Sequence, residues 1–157
     1  MKYSDRLHEK ALERYANGLN SRARAAGSPG AVTADELRGI VLDSGGKCSW
    51  CSASVVDAEF EIDHILGVVR GGPNVPANLA LACPDCNKRK AFKHPARFAA
   101  EVLARGAPRT PFIDSVLERY GGDDPGIQGD MFVDEPPTDR MIRADDDSDE
   151  SPAPYVW

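Results

Sequence analysis

All four cysteines of the chain lie in two Cys-x-x-Cys pairs, and this arrangement constrains the fold more than any other feature. The pairs are Cys48/Cys51 and Cys83/Cys86, and no cysteine is left over. Two such turns can place four thiolates around one tetrahedral Zn²⁺ ion, so we predict a structural Zn(Cys)₄ site. The 31 residues between the pairs exceed the usual spacing of a zinc ribbon, and a further structure is therefore expected between them.

Other uses of the cysteines fit the sequence less well. A thioredoxin-like redox site has one such pair in a βαβ context, which the pattern does not show, and two disulfides require an oxidising compartment. The first residues are polar, with no apolar segment typical of a signal peptide, and no apolar run approaches the roughly 18 residues that cross a bilayer. We therefore expect a cytoplasmic protein without a membrane association.

The net charge of −6 conceals two regions of opposite sign. Residues 1–120 hold 17 Lys and Arg against 14 Asp and Glu, a net charge of +3, whereas residues 121–157 hold 2 against 11, a net charge of −9. The basic part is compatible with a polyanionic partner. The acidic part is rich in Pro, Gly and Asp, so we expect a disordered tail that could bind a protein partner.

Hydrophobic periodicity and capping residues predict a mainly helical chain with a small amount of strand. Helices are expected over 5–26, 34–43, 95–105 and 111–120, and a further helix is expected to begin at Pro84. Short strands are expected within 54–64, around Val55, Val56, Phe60 and Ile62, and at 79–82. The segment 67–76 is rich in Gly and Pro and is predicted to be a loop.

The stretch between the cysteine pairs contains several polar residues suited to catalysis. Asp63 and His64 are adjacent, and Asn78 and Asn87 both lie near the second cysteine pair. An isolated Asp-His pair is most often an ordinary surface contact. Here, however, three consecutive basic residues follow Asn87, as the binding of phosphate groups would require.

Residues 35–92 closely resemble the HNH (ββα-metal, His-Me finger) endonucleases that carry two Cys-x-x-Cys zinc knuckles. The residues that carry the resemblance are Cys48, Cys51, Ile62, Asp63, His64, Ile65, Gly71, Gly72, Asn78, Leu79, Leu81, Ala82, Cys83, Cys86, Asn87 and Lys90. The resemblance implies an α+β fold, with a small ββα-metal core, the zinc site and flanking helices. We accordingly divide the chain into a helical extension (1–30), a nuclease domain (31–120) and the acidic tail (121–157).

The resemblance also implies roles for individual residues. His64 would be the general base that activates water, and Asn78 would hold the His64 loop and ring in orientation. Asp63 and Asn87 would bind a catalytic divalent ion. Asn87 stands where the family has His or Asn, which makes this chain an H-N-N variant. Because both proposed ligands offer oxygen, Mg²⁺ or Mn²⁺ is expected at this second site.

The function implied is hydrolysis of phosphodiester bonds in double-stranded DNA, by nicking or by cutting both strands. Arg70, Lys88, Arg89 and Lys90 are the expected DNA contacts. Small proteins of this family occur in bacteriophages, mobile elements and restriction systems. The alternative is a non-catalytic zinc-binding module that binds nucleic acid or protein, which would need the cysteines and the basic residues but not His64.

Overall fold

The computed structural model describes residues 8–122 of the chain. Within them lie five α-helices: α1 (Glu9–Ala25), α2 (Ala34–Asp43), α3 (Pro84–Lys90), α4 (Pro95–Ala104) and α5 (Pro111–Tyr120). The two strands are β1 (Glu61–His64) and β2 (Leu79–Ala82), and two short 3₁₀ turns lie between them at Val68–Arg70 and Pro76–Asn78. The tail expected from residue 121 onwards lies outside the described residues, apart from its first two glycines.

Two helix starts follow directly from the sequence. The Thr33 side chain accepts a hydrogen bond from the backbone N–H of Glu36, whose carboxylate accepts one in return from the backbone N–H of Thr33. This capping box satisfies donors that the first turn of α2 leaves free. The Thr110 side chain caps α5 by accepting a hydrogen bond from the backbone N–H of Ile113, and Pro111 occupies the first helical position. Both predicted starts are confirmed.

The strands form an antiparallel hairpin in which Glu61 pairs with Ala82 and His64 with Leu79. Helix α3 follows β2 at once, which gives the ββα arrangement that the resemblance implies and confirms the α+β prediction. The strand expected near Val55 and Val56 is wrong. The backbone N–H of Val55 donates to the carbonyl of Gly46, so this segment closes the first cysteine turn instead of pairing with a neighbouring strand.

The hairpin is the middle layer of the fold because β2 is buried on both faces. Successive side chains of a strand point to opposite sides. One side packs with α1 and α2 in a cluster of mostly aliphatic residues, namely Leu12, Ala16, Leu19, Val32, Leu37, Val41, Val55, Phe60, Ile62, Leu79 and Leu81. The other side packs with α4 and α5 in a cluster that includes Trp50, Ala80, Ala82, Phe98, Val102 and Ile113.

Helix α1 is also hydrogen-bonded to the hairpin. The Tyr15 hydroxyl donates to the Glu61 carboxylate at 2.7 Å and accepts from the backbone N–H of Ile62 at 2.9 Å. The tyrosine thereby satisfies a backbone donor on the outer edge of β1. The division of the chain at residue 30 stays a prediction. Across the described ranges of the chain, no helix combines the length and the apolar character needed to cross a membrane.

Candidate metal centre and active site

The four cysteines converge on one point beside the start of α3. Their sulfur atoms all lie within 4.8 Å of one another, and the Sγ atoms of Cys51 and Cys83 are 3.8 Å apart. A tetrahedral ion with Zn–S bonds of roughly 2.3 Å would separate its sulfurs by about 3.8 Å. The cluster could therefore hold a metal ion of that size, and the predicted convergence of the two cysteine pairs is confirmed.

The thiols of this cluster interact strongly with one another. A hydrogen bond with Cys86 is the main influence that lowers the pKa of Cys48 to about 5. Burial raises the pKa of Cys51 to about 11, and the hydrogen bond with Cys48 raises the pKa of Cys86 well above its usual range. One thiolate is thus stabilised at the expense of its neighbours. Full ionisation of the set calls for a bound cation.

The first cysteine turn is held by a backbone hydrogen bond to β2 and by the packing of Trp50 against two aromatic rings. The backbone N–H of Ser49 donates to the carbonyl of Leu81 on β2 at 2.8 Å. Trp50 is fully buried and meets the rings of Phe98 and Phe112 edge-to-face, with centroids 5.1 Å from each. Trp50 is therefore a packing residue of this turn. The cluster therefore links β2 to the two C-terminal helices.

Asp63 and Lys90 form an ion pair at the end of β1. The Lys90 ammonium lies 2.9 Å from Asp63 Oδ2 and donates a hydrogen bond to the backbone carbonyl of His64 at 2.7 Å. The Asp63 side chain is only 17% exposed. Burial raises the pKa of Asp63 above its ordinary value, and the charge of Lys90 opposes that rise.

The position of Lys90 argues against the expected contact with DNA. Its side chain is 1% exposed, and its ammonium lies 5.8 Å from the ring centre of Trp50. It lies on the side of α3 that faces β1, whereas Lys88 is exposed on the same helix. Arg89 pairs with two carboxylates, those of Asp85 at 3.2 Å and Glu101 at 2.8 Å. The three consecutive basic residues therefore have three different environments.

The remaining expected DNA contact, Arg70, lies in the first 3₁₀ turn of the loop between the strands. Its Nε donates to the backbone carbonyl of Phe92 at 2.6 Å, which joins this loop to the segment after α3. The exposed Arg22 of α1 lies near enough to influence the pKa of His64. Arg22, Arg70 and Lys88 thus contribute positive charge from three separate elements.

His64 ends β1 with its imidazole half-buried. Its Nε2 lies 2.9 Å from Oδ1 of Asn74, and Nδ1 makes no hydrogen bond to any residue in the described part of the chain. Burial lowers the pKa of His64 below the ordinary value, while the Asn74 hydrogen bond and the nearby Asp63 oppose this effect. A lowered pKa favours the neutral imidazole, the form that can accept a proton.

Asn78 holds together the loop that follows His64. Its Oδ1 accepts from the N–H of Leu66 at 2.9 Å, and its Nδ2 donates to the carbonyls of Leu66 at 2.9 Å and Pro73 at 2.8 Å. Its own carbonyl accepts from the N–H of Ile65 at 2.8 Å. The side chain is buried, so these bonds exchange little with water. They connect the two ends of the loop and fix the backbone next to His64.

The loop passes so closely over itself that Gly72 has no room for a side chain. A Cβ atom there would lie 1.9 Å from the carbonyl oxygen of Leu66 and 3.0 Å from Nδ2 of Asn78. Real Cβ contacts essentially never fall below 3.0 Å. This close approach explains why position 72 requires a glycine.

Asn87 lies on α3 three residues before Lys90, and residues at this spacing share one side of a helix. Since Lys90 contacts Asp63, the half-buried Asn87 lies on the side of α3 directed at β1. The structure therefore places Asp63 and His64 together at the end of β1, beside Lys90 and next to the loop that Asn78 holds, with Asn87 one turn earlier on α3. Two residues near His64 were missed from the sequence, Asn74 in the loop and Asn20 on α1.

Comparison with known proteins agrees with this geometry. The model of the HNH endonuclease family matches residues 48–93. The match runs from the first cysteine to just beyond α3 and includes both cysteine pairs, the hairpin and His64.

No curated protein matches the chain. A solved structure similar to part of it is the Type IV phosphorothioation-dependent restriction endonuclease ScoMcrA, at 18% sequence identity and a TM-score of 0.37. That match covers 71% of this chain and 24% of the restriction endonuclease. The chain therefore spans about a quarter of the length of that protein.

Proposed function

We propose that the protein is a metal-dependent endonuclease that hydrolyses phosphodiester bonds in double-stranded DNA. The observation that carries the proposal is the environment of His64 in the HNH domain. One ring nitrogen is held by Asn74, the other makes no bond to a described residue, and burial favours the neutral ring. A phage, mobile-element or restriction context and a cytoplasmic location are part of the proposal and rest on the family resemblance.

In this proposal His64 accepts a proton from a water molecule at Nδ1 while that water attacks the phosphorus. Neutral imidazole suits this role near physiological pH. Asn78 keeps the backbone around His64 in place through its four hydrogen bonds to the loop. The base is thus presented at the end of a strand whose following loop cannot easily shift.

Two different metal ions fit the donor groups. The four sulfurs suit a structural Zn²⁺, because every ligand position is taken by the protein and no position is open for water. Asp63 and Asn87 offer one carboxylate and one amide oxygen, a set suited to Mg²⁺ or Mn²⁺ completed by water and phosphate oxygens. Such an ion would offset charge on the scissile phosphate and help the departing oxygen. Residue roles at this second site remain part of the proposal.

The DNA backbone would lie across the end of the hairpin. Arg22 is exposed on α1 near His64, Arg70 is carried by the loop between the strands, and Lys88 is exposed on the outer side of α3. Arg89 is partly neutralised by its two carboxylate partners, so its contribution should be smaller. Contacts of this kind supply affinity without reading the base sequence, and they weaken as salt is raised.

The test is a plasmid-nicking assay with Mg²⁺, Mn²⁺ and EDTA on the full chain and on His64→Ala. His64 is not a ligand of the cysteine cluster, so the variant should keep its zinc and its circular-dichroism spectrum. It should lose about 100-fold or more of its cleavage rate, the usual contribution of a general base. His8→Ala is the matched control and should cleave like the unaltered chain, because His8 is exposed at the start of α1.

Asp63→Asn and Asn87→Ala should also lose activity, with partial recovery at raised Mg²⁺ or Mn²⁺. That recovery should be missing for His64→Ala, since added metal does not replace a base. A folded, zinc-loaded His64→Ala protein that nicks plasmid at the full rate would refute the proposal. The non-catalytic zinc-binding module would then be the better description.

A further inference from the structure

A chain of hydrogen-bonded side chains connects His64 to helix α1. Asn20 of α1 is bonded twice to the backbone of Val32: its Oδ1 accepts from the N–H and its Nδ2 donates to the carbonyl, both at 2.9 Å. Asn74 donates from Nδ2 to Oδ1 of Asn20 at 2.8 Å. Oδ1 of Asn74 then lies 2.9 Å from Nε2 of His64.

The direction of every bond in this chain is fixed by the backbone of Val32. A backbone N–H can only donate and a carbonyl can only accept, so the amide of Asn20 has one possible orientation. Its Oδ1 faces Asn74, which must therefore present its NH₂ group there. The remaining oxygen of Asn74 can only accept, and Nε2 of His64 must carry the proton.

We infer that Asn20 and Asn74 are positioning residues that fix the Nε2–H tautomer of His64 and leave the lone pair of Nδ1 free. The inference rests on the proposed function, because a free lone pair matters only if His64 acts as the base. In the opposite tautomer, the lone pair of Nε2 would face the lone pairs of Oδ1 of Asn74. In a buried environment that contact is unfavourable.

Asn74 is well placed for this task because its own position is fixed. It is 0% exposed, and its backbone N–H donates to the carbonyl of Pro29 at 2.8 Å. Ser28 donates from Oγ to the carbonyl of Gly72 at 2.7 Å. A side chain on Gly30 would lie 2.7 Å from the carbonyl oxygen of Asn74, so the two segments are in close contact.

The residues that set the tautomer therefore lie partly outside the HNH match. The match begins at Cys48, whereas Asn20, Val32 and the segment 28–30 all precede it. The helix before the motif is then more than a packing element. This region supplies the hydrogen bonds that determine which nitrogen of His64 carries the proton and which can accept one.

The direct test is the ¹⁵N spectrum of the zinc-loaded full chain with labelled histidine, recorded at about pH 8, where histidine is neutral. Comparison with His64→Ala identifies the His64 signals among the three histidines. The expected result is a protonated Nε2 and a bare Nδ1. In Asn74→Leu, which removes both polar atoms at similar volume, the spectrum should show a mixture of tautomers.

Cleavage kinetics supply the second readout. Asn74→Leu and Asn20→Ala should lower kcat about 10- to 100-fold, the usual cost of removing a group that orients a site residue. KM for DNA should stay the same, because neither residue is among the proposed DNA contacts. Asn17→Ala, at an exposed position on the same helix, should cleave like the unaltered chain.

The outcomes separate this inference from the proposed function. An Nδ1–H tautomer in the unaltered chain would overturn the inference even if every Asn74 variant failed to fold. Full kcat in a folded Asn74→Leu protein would also overturn it, provided that His64→Ala is inactive. If His64→Ala itself remained active, the proposed function would fail first.

Discussion

Breaking the buried ion pair between Asp63 and Lys90 on one side only should destabilise the protein strongly. We consider Lys90→Met, which keeps the length and apolar stem of the side chain but removes its charge. The ammonium lies 2.9 Å from Asp63 Oδ2 and 2.7 Å from the carbonyl oxygen of His64. The substitution would leave a carboxylate that is 17% exposed without its counter-ion. It would also leave the carbonyl without its donor.

Removing one partner of a buried pair costs about 3–5 kcal/mol. Asp63 keeps some contact with water, which favours the lower end, and the lost hydrogen bond adds about 1 kcal/mol. We therefore expect a loss of about 3–4 kcal/mol, a large part of the roughly 5–15 kcal/mol by which a domain is stable. Lys88→Met is the matched control, because Lys88 is exposed on the same helix and should change stability by less than about 0.5 kcal/mol.

The assay is urea unfolding of the zinc-loaded proteins, followed by circular dichroism without added Mg²⁺. Asp63→Asn and the double variant complete a thermodynamic cycle. Because each single change leaves the other charge buried, the double variant should be more stable than the sum of the single losses predicts. Burial already raises the pKa of Asp63 and Lys90 opposes this. The carboxylate should therefore gain a proton more readily in Lys90→Met, and the penalty should shrink as the pH is lowered.

A loss below about 1 kcal/mol for Lys90→Met, with no coupling to Asp63, would refute this reasoning. So would a pattern in which Lys90→Met weakens DNA binding at unchanged stability while Lys88→Met does not. That second result would mean that the lysine leaves the interior and contacts the phosphates. Filter binding at two salt concentrations, on proteins shown to be folded, distinguishes the two.

Two further predictions concern the metal cluster and the loop. Purified protein should hold one zinc per chain. A strong chelator or Cys83→Ser should unfold it, because zinc binding supplies about 10–16 kcal/mol in small domains. A stable fold in protein that metal analysis shows to be free of zinc would contradict this. Gly72→Ala should lose about 1–3 kcal/mol and most of the cleavage activity, because its Cβ would overlap the carbonyl of Leu66. Gly67→Ala is the control, since φ is −59° there and the nearest atom is 3.9 Å from the new carbon; equal losses in the two variants would contradict the steric argument.

Much of the fold could be predicted because its signals are local. The capping box at Thr33 and the Thr110-Pro111 start each depend on residues within one helical turn. The zinc cluster was predictable for a similar reason, since two ligands come from each tight turn. The prediction of a strand near Val55 was wrong because apolar residues indicate that a segment is buried, not that its backbone pairs with another strand. Val55 is fully buried, but its N–H closes a turn onto Gly46.

The environment of Lys90 could have been inferred once α3 was placed. A helix turns about 100° per residue, so three consecutive basic residues cannot all share one side. Lys90 lies four residues after Cys86 and three after Asn87, which places it with the inward-facing ligands. Lys88 points away from them. Treating the three residues as one basic cluster ignored this rotation.

The Asn20–Asn74 connection had no comparable signal in the sequence. The two residues are 54 positions apart, and each is an ordinary polar residue in its own segment. Asn20 follows Ala16 by four residues, which places it at the border of the buried side of α1, but that position does not reveal its partner. A recognisable motif defines the residues that perform the chemistry. The groups that determine the protonation of those residues can come from any segment that the fold brings within hydrogen-bonding distance. A segment limited to 48–93 would therefore contain His64 and Asn74 but would lack Asn20 and the backbone of Val32, which orient the side chain of Asn74.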